Sequence, residues 1–354
     1  METNDEYLKG RGAQVNIKNR FEKREYTTEH IEGIDEPFQD NSPTQYIINY
    51  PKKIINKVES PDIPGMYSMN PYQGCEHGCI YCYARNSHQY WGYSAGLDFE
   101  RKIMVKENAP ELLRKAFDNL KWVPQSIMLS GNTDCYQPIE RKTKITRRML
   151  EVLLEYRNPV SIITKNSLIL RDKDILQEMA AMNLVHVNIT ITALDESIRL
   201  KMEPRTATYK QRLNVVEELS KLKIPVNIMV APIVPSITDY EVPGVIKAAA
   251  ERGALSAAYT IVRLNGAIAD IFTDWVHKNY PDRAAKVLNQ IAACHGGQLN
   301  DSRWGLRTRG EGNIAEAIRN LFVMARNKYM KDRVFPSFDY TNFRRPQKGQ
   351  LSLF

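Results

Sequence analysis

Three cysteines lie within eight residues of one another, at Cys75, Cys79 and Cys82. Their C-x₃-C-x₂-C spacing lets one loop bind a [4Fe–4S] cluster, because each thiolate can ligate a different iron. The fourth iron is then open to a ligand that is not a protein side chain. Gly74 and Gly78 would let the backbone approach the cluster closely. We therefore predict that these three cysteines are metal ligands of one [4Fe–4S] cluster.

A zinc site is the alternative use of the three thiols. The candidate fourth ligands are Cys135, Cys294, His77 and His88. Structural zinc is usually held by two paired ligand knuckles, and the sequence has no second C-x₂-C pair. Five cysteines, an odd number, do not make a disulfide framework, and in a reducing cytosol this spacing indicates metal or redox chemistry.

Further motifs surround the cysteine cluster in the sequence. In chain order they are Asn70–Cys75, Tyr83–Arg85, Ser130–Asp134, Tyr136–Pro138, Thr164–Lys165 and Glu203–Arg205. Together with the aromatic residue before the third cysteine, they resemble the radical S-adenosylmethionine (SAM) superfamily. Within it they resemble the spore-photoproduct-lyase-like group, a bacterial DNA-repair type. The resemblance extends from about Gly10 to residue 345.

The resemblance implies two cofactors, a [4Fe–4S] cluster and SAM. In that superfamily the amino and carboxylate groups of SAM bind the open iron. An electron from the reduced cluster then cleaves a C–S bond, and the 5′-deoxyadenosyl radical abstracts a hydrogen atom from the substrate. The cofactors perform the chemistry, and the protein positions them and excludes water. A flavodoxin- or ferredoxin-type protein is the implied electron donor.

The resemblance also implies which residues contact SAM. Tyr81 would lie beside the adenine, and Lys165 would meet the carboxylate as a compact cation. The remaining implied SAM-binding residues are Ser130, Gly131 and Thr133 at the methionyl amino group, Thr190 at the ribose or carboxylate, and Ala231 at the adenine edge. Glu203 and Arg205 would either orient one another near the cofactor or form a surface ion pair of small value.

The group that returns a hydrogen atom to the product is less defined. Spore photoproduct lyases use a cysteine near the second-strand motif, and the aligned position here is Gly131, with Cys135 four residues later. The catalytic donor is therefore Cys135, a tyrosine such as Tyr83 or Tyr81, or absent. Each tyrosine could instead serve only in packing.

Short apolar runs alternate with segments of helical period from about residue 66 onward. The predicted strands are Met66–Met69, Ser126–Ser130, Val160–Thr164, Val185–Thr192, Val226–Ala231 and Ala258–Leu264. The predicted helices are 109–120, 144–157, 172–182, 208–223 and 239–252. This alternation predicts an α/β fold with a parallel sheet, curled into a partial (β/α)₆ TIM-like barrel. The carboxyl ends of its strands would carry the site.

The pattern divides the chain into four parts. Residues 1–62 are a polar, loosely built N-terminal extension, and residues 63–268 are the radical SAM barrel. Residues 269–345 are mostly helical and irregular, and we expect them to face the substrate or nucleic acid. Residues 346–354 are a flexible tail. The sequence assigns no role to the segment around Gly10–Phe21.

Charge is distributed unevenly along the chain, whose formal net charge is +8. Residues 301–354 carry eleven Lys and Arg against five Asp and Glu. Aromatic residues lie among these charges, including Trp304, Tyr329, Phe335, Phe338, Tyr340 and Phe343. This composition favours DNA as a partner, and its alternative is an ordinary solvated basic surface.

The final five residues carry a second partner motif. Gln350, Leu351, Leu353 and Phe354 resemble the Q-L-x-L-F peptide by which bacterial DNA polymerases and repair factors bind the sliding clamp. Gln350 would hydrogen-bond, and the apolar residues would fill adjoining pockets. The alternative is a tail that packs on its own domain.

Hydropathy excludes a membrane protein, because mean hydropathy is −0.45 and no apolar run approaches 18 residues. The polar N-terminus has no signal-peptide core, so we expect a cytoplasmic protein. The leading hypothesis is a lyase-like radical SAM enzyme that repairs a DNA lesion. One alternative is radical SAM modification of RNA, protein or a small metabolite. Another is a non-enzymatic, clamp-associated, DNA-binding iron–sulfur protein.

Overall fold

The strands of the protein were located in a computed structural model that describes residues 7–22, 43–62 and 67–346. They are β1 Gln45–Ile48, β2 Asn56–Lys57, β3 Tyr67–Met69, β4 Tyr72–Gln73, β5 Lys102–Val105, β6 Ile127–Leu129, β7 Val160–Thr164, β8 Val185–Thr190, β9 Val226–Ile233 and β10 Ser256–Ile261.

Helices follow most of these strands. They are α1 Arg85–His88, α2 Leu97–Arg101, α3 Ala109–Asp118, α4 Glu140–Thr143, α5 Ile145–Tyr156, α6 Lys173–Ala181, α7 Glu196–Met202, α8 Tyr209–Lys221, α9 Val242–Glu251, α10 Ile268–Asn279, α11 Ala284–Ala293, α12 Leu306–Arg309 and α13 Gly312–Met330. In the described ranges, no helix is long and apolar enough to cross a membrane.

The main sheet has the strand order β10-β9-β8-β7-β6-β3-β2. Every neighbouring pair from β10 to β3 is parallel, and β2 adds to β3 in the antiparallel direction. In the part of the chain that the structure describes, β10 does not pair with β2 or β3, so the sheet is an open barrel. The predicted partial (β/α)₆ architecture is confirmed.

Helix faces follow the predicted period. In α5 the helical period places Ile145, Met149, Val152, Leu153 and Tyr156 on one face, and all five are buried. Gly253 has φ +95° directly after α9, as a residue just past a helix end should. The last strand ends three residues early, because the Leu264 amide donates to the Leu299 carbonyl (2.8 Å) and the chain leaves the sheet.

The N-terminal residues are more ordered than their composition suggests. Strand β1 pairs with β5 in a small sheet of order β1-β5-β4, which the sequence did not predict. Residues 7–22, which we call the N-terminal strap, pack against the chain between α1 and α2. Ile17 and Ser94 exchange two hydrogen bonds (2.9 and 2.8 Å), and Asn19 donates to the Gln89 carbonyl (2.9 Å). The described parts of the extension therefore belong to the barrel.

The C-terminal segment 331–346 crosses the amino ends of the strands. Phe338 stacks on His186, the second residue of β8, with ring centroids 3.7 Å apart. The Asp339 amide donates to Asn183, and the Arg344 amide donates to Tyr156 at the end of α5 (both 3.0 Å). This segment therefore lies at the opposite end of the sheet from the carboxyl ends of the strands. That residues 269–345 face the substrate stays a prediction.

Much of the basic character of the C-terminal region is used inside the chain. Arg303 pairs with Asp301 (2.6 Å), and Arg307 pairs with Asp62 (2.5 Å) and stacks on Trp304. Phe335, Phe338 and Phe343 pack against His186, Phe117 and Tyr156. These contacts give two of the arginines and four of the aromatic residues a structural role.

Candidate active site at the carboxyl ends of the strands

The cysteine loop is held in a tight backbone conformation. Gly74 and Gly78 have φ of +79° and +69°, and a Cβ on Gly74 would lie 2.8 Å from the Lys102 carbonyl oxygen. The Cys75 amide donates to the Phe99 carbonyl (2.9 Å), and the Cys82 amide closes a turn on Cys79 (3.3 Å). Close backbone packing and hydrogen bonds therefore fix the shape of the loop.

The three thiols lie close enough to act on one another. Cys75 and Cys79 are buried and Cys82 is half-buried. Burial, reinforced by neighbouring negative groups, raises the pKa of Cys75 well above its usual range and that of Cys79 to about 12. Three such thiolates need a concentrated positive charge to coexist, and iron supplies it. The donor set fits a [4Fe–4S] cluster.

A single-ion site does not form in the described residues. Among them, no three His, Cys, Asp or Glu side chains converge to hold one metal ion. Of the candidate fourth zinc ligands, His77 is bonded to Asp134 (3.3 Å) and Asn166 (3.1 Å). Cys135 and Cys294 lie in the hydrophobic core. These placements disfavour the zinc alternative.

Tyr81 and Lys165 form the next layer of the site. The Tyr81 hydroxyl donates to buried Glu203, and the Lys165 ammonium lies 5.9 Å from the Tyr81 ring centroid. Burial alone would lower the pKa of Lys165, but nearby Cys79 and Glu203 raise it above its usual value. Lys165 is therefore a stable cation beside the cysteine loop, suited to a carboxylate.

Glu203 pairs with Arg212 of α8 (2.5 Å) and not with Arg205. Arg212 also donates to the carbonyls of Thr190 (3.0 Å) and Ala207 (2.9 Å), so one guanidinium fixes the end of β8 and the loop after α7. Arg205 is exposed. The predicted pairing of Glu203 with Arg205 is wrong, because among the arginines that the structure describes it is Arg212 that pairs with the buried carboxylate.

The second-strand motif forms a wall of the site. Ser130 has φ +75°, and its hydroxyl accepts from the Cys135 amide (2.7 Å). Thr133 donates to the Tyr72 carbonyl (2.6 Å). The Gly131 carbonyl accepts the Tyr83 hydroxyl, and a Cβ on Gly131 would lie 3.2 Å from that of Ser68. The side chains of Ser130 and Thr133 thus shape the loop, and the amides of Asn132 and Thr133 donate to Asn70.

Asp134 and Arg212 are functional candidates to which the sequence assigned no role. The Asp134 carboxylate accepts from the Lys165 amide (2.8 Å), the Thr164 hydroxyl (2.8 Å) and His77. Burial opposes its ionisation, but His77 and the amide bonds outweigh burial and lower its pKa to about 2. Asp134 thus joins the cysteine loop to the ends of β6 and β7. The sequence did contain one indication of a role for Asp134, which is its position in the Ser130–Asp134 motif.

The other predicted SAM contacts lie at the same end of the sheet. Lys165 follows β7, Thr190 ends β8, and Ala231 lies two residues before the end of β9. Thr190 is buried, and its carbonyl accepts from Arg212. These three positions therefore lie at the carboxyl ends of consecutive strands of the sheet.

The candidate hydrogen donors differ in access. Cys135 is fully buried, and burial together with Asp134 raises the pKa of its thiol well above the usual range. Tyr83 is 52% exposed and lies near Arg263, which follows β10. Tyr83 is thus the candidate that an incoming substrate can meet directly. Gln350, Leu351, Leu353 and Phe354 lie outside the described residues.

Comparison with known proteins agrees with this geometry. The family model described as the Radical SAM superfamily matches residues 69–249. An uncharacterised protein of Mycobacterium tuberculosis is 30% identical over 241 residues, covering 66% of this chain and 70% of that protein. An uncharacterised protein of Methanocaldococcus jannaschii is 29% identical over 253 residues, covering 71% of this chain and 90% of that protein.

Solved structures of spore photoproduct lyase share the fold. The complex with dinucleoside spore photoproduct superposes with a TM-score of 0.59 at 13% identity, covering 80% of this chain and 79% of that one. A variant with bound AdoMet and the same dinucleoside gives a TM-score of 0.58 at 14% identity, with the same coverage. At this identity the likeness establishes the fold.

Proposed function

Because the chain belongs to the radical SAM superfamily, whose members use a [4Fe–4S] cluster and SAM, we propose that it is a lyase-like radical SAM enzyme that repairs a lesion in DNA. When bound, the two cofactors supply a reductive cleavage of SAM that generates a carbon radical. The observation that carries the proposal is the position of the Cys75–Cys82 loop beside Lys165 and Tyr81.

The chain's own residues would hold the cofactors in place. Cys75, Cys79 and Cys82 would bind three irons, and the Lys165 ammonium would bind the SAM carboxylate. Tyr81 is fixed by Glu203, so its ring would pack against the adenine without rotating away. Arg212 neutralises Glu203, and this leaves Lys165 free to serve the ligand.

Two observations support DNA as the substrate class. The shared fold is that of an enzyme whose solved complexes contain dinucleoside spore photoproduct. In addition, Arg263 lies half-buried near exposed Tyr83, and none of the residues described here forms a hydrogen bond or ion pair with its guanidinium. Arg263 would bind a backbone phosphate and bring the lesion to Tyr83.

The test of the cluster is anaerobic reconstitution followed by iron and sulfide analysis. We expect about four of each per chain, and loss of SAM cleavage in each Cys→Ala variant of the three ligands. Lys165→Ala should retain the cluster but weaken SAM binding at least tenfold, because it removes one charged contact. Full cleavage activity in the triple alanine variant would refute the proposal.

The test of the substrate compares ultraviolet-damaged DNA, intact DNA, RNA and peptide. We expect 5′-deoxyadenosine release to increase with damaged DNA alone. Stimulation by RNA, peptide or a small metabolite would instead favour a modifying enzyme. No release with reduced protein under any condition would favour a non-enzymatic iron–sulfur protein.

The candidates for the residue that returns a hydrogen atom to the product are Tyr83 and Cys135, and variants distinguish the two. We propose Tyr83 as the residue nearest the substrate, with Cys135 as the alternative donor behind the Ser130 loop. If Tyr83 acts, Tyr83→Phe should still cleave SAM but give altered product or a stalled turnover. Cys135→Ala should show that phenotype if the cysteine acts, and unchanged product and rate if it only packs.

The C-terminal tail supports a second proposal, binding to the bacterial sliding clamp. Its Gln350-Leu351-Ser352-Leu353-Phe354 sequence carries one hydrogen-bonding amide and three apolar anchors. Clamp binding would raise the local concentration of the enzyme at DNA. We expect measurable binding by the full chain and none after deletion of residues 350–354. Equal binding by both proteins would refute it.

A further inference from the structure

The N-terminal strap covers the outer side of the cysteine loop. Buried Glu100 accepts hydrogen bonds from the Gly12 amide (3.1 Å) and the Ala13 amide (2.8 Å), and pairs with Arg85 (2.6 Å). Gly12 packs so closely that a Cβ would lie 1.6 Å from the Gly78 carbonyl oxygen. The strap therefore covers the outer side of residues 76–78, which lie between Cys75 and Cys79.

Two arginines meet at this surface. Arg11 of the strap donates to the Glu100 carbonyl (3.1 Å) and to Thr44 (3.4 Å). The Arg205 amide donates to the His77 carbonyl (3.2 Å), and its side chain is exposed. Within the described ranges, the Arg205 guanidinium has neither a hydrogen bond nor an ion pair. Burial and the charge of Arg205 lower the pKa of Arg11, so the two cations lie in one another's field.

The nearby acidic groups are already engaged. Glu100 is used by Arg85 and the strap amides, and Glu76 accepts from the Tyr46 hydroxyl (3.0 Å) and the Ile139 amide (3.1 Å). Two adjacent cations without a dedicated counter-ion favour an external negative partner. Because the pair lies on an outer surface above the loop, the partner that fits is a protein with an acidic face.

The pair and the exposed tyrosine lie on different parts of the cysteine loop. The Arg205 amide donates to His77 and Gly12 of the strap packs on Gly78, whereas Tyr83 contacts Gly131 beyond the third cysteine. If substrate approaches at Tyr83, the surface above His77 and Gly78 stays free for another protein.

We infer that Arg11 and Arg205 form the docking point for an acidic, low-potential one-electron carrier protein of the flavodoxin or ferredoxin class. The inference rests on the proposed function, because only a redox-active cluster requires such a partner. One electron leaves the reduced carrier and enters the cluster, and no bond forms or breaks. Charge complementarity of this kind acts mainly on the association rate.

The experiment measures cluster reduction rather than turnover. Reconstituted protein and its Arg205→Glu and Arg205→Gln variants are mixed with a reduced bacterial flavodoxin, and the loss of cluster absorbance is followed by stopped flow. Photoreduced 5-deazariboflavin, an uncharged reductant, is used in parallel. Lys121→Glu is the matched control, because it makes the same charge change at an exposed site beyond α3, at the amino end of β6.

We expect Arg205→Glu to slow flavodoxin-driven reduction at least tenfold at low salt, with a smaller loss for Arg205→Gln and none for Lys121→Glu. The rate of reduction by deazariboflavin should be equal in all four proteins. High salt should reduce the difference between their rates of reduction by flavodoxin.

Equal rates of reduction by flavodoxin for Arg205→Glu and Lys121→Glu would overturn the docking surface. Weaker DNA binding by Arg205→Glu with unchanged flavodoxin rates would also overturn it, in favour of a nucleic-acid contact. Failure of deazariboflavin to reduce the unsubstituted protein would instead refute the proposed function.

Discussion

At the scale of single residues, the site depends on charges that are buried and paired. Glu203 has no exposed surface, and its partners are Arg212, Tyr81 and Thr192. Burial alone would raise the pKa of Glu203, but Arg212 and Lys165 outweigh burial and lower it. The carboxylate is thus ionised because of its neighbours, and it orients the Tyr81 ring.

Replacing Arg212 should be costly for this reason. Arg212→Met leaves a buried carboxylate without its main partner, and we expect a loss of about 3–5 kcal/mol of unfolding free energy. Arg212→Lys should recover only part of this loss, because an ammonium cannot reproduce the forked contacts to Thr190 and Glu203. Denaturant unfolding of the cluster-free protein measures both.

The double variant Arg212→Met with Glu203→Gln is the control for that prediction. It removes the uncompensated charge, so its stability should exceed that of Arg212→Met alone. If the double variant is no more stable, the ion pair is not what holds the loop after α7.

Residue roles were predictable from the sequence where a short motif contained them. The three cysteines and Lys165 lie in local patterns, and each is at the site. Arg212 could not be predicted, because it reaches Glu203 from a helix nine residues later across a turn that the sequence does not specify. The predicted Glu203–Arg205 pair assumed that sequence neighbours are spatial partners.

At the scale of elements, the strap is attached to the cysteine loop through close backbone packing. Gly12→Ala would place a methyl group against the Gly78 carbonyl, so the strap or the loop must move. We expect a loss of about 1–3 kcal/mol of stability and faster bleaching of the reconstituted cluster in air. Absorbance decay and denaturant unfolding test this.

The matched control for the strap is Gly244→Ala in α9. A Cβ there would lie 3.5 Å from Leu194, an ordinary contact, so the substitution should be neutral or slightly stabilising. Equal cluster lifetimes in the two variants would show that the strap does not protect the loop.

The C-terminal segment should respond to pH through His186. Burial lowers the pKa of His186 to about 4, below the usual value of 6.5. The unfolded or undocked form therefore binds a proton first, so docking weakens as the pH falls from about 6.5 towards 4. Limited proteolysis should cut the chain near Phe338 faster at pH 5 than at pH 7.

His186→Phe should abolish that pH dependence, because it keeps an aromatic ring against Phe338 and removes the titrating group. Persistence of the same pH profile in this variant would assign the effect to other residues.

Strand and helix positions were predicted well because alternation and helical period are local signals. The end of β10 and the β1–β5 pair were not, since each depends on a hydrogen bond to a distant segment. The strap could not be predicted as an element, because it has no periodicity and is held by Glu100 and Ser94.

At the scale of the whole molecule, not every cation of the basic C-terminal region is free to bind a polyanion. Arg303, Arg307 and Arg345 bind groups of their own chain, whereas Arg263 near Tyr83 does not do so within the described residues. DNA binding should therefore depend on few cations.

Arg263→Ala should weaken DNA binding and reduce the slope of log affinity against log salt by about 1. Arg303→Ala should leave the slope unchanged, because that guanidinium is already neutralised by Asp301. A slope unaffected by Arg263→Ala would remove this arginine from the DNA contact.

The path of residues 331–346 also decides which way the enzyme points when it is held by its C-terminus. Arg345 donates to the Phe117 carbonyl (2.9 Å), so the last described residues lie at the amino ends of the strands, away from Tyr83. A partner that binds the chain beyond Pro346 would therefore hold the enzyme at the end of the barrel formed by the amino ends of the strands. The opposite end, which carries Tyr83 and the cysteine loop, would then remain accessible. Binding of that partner and binding of the substrate would not compete for the same surface.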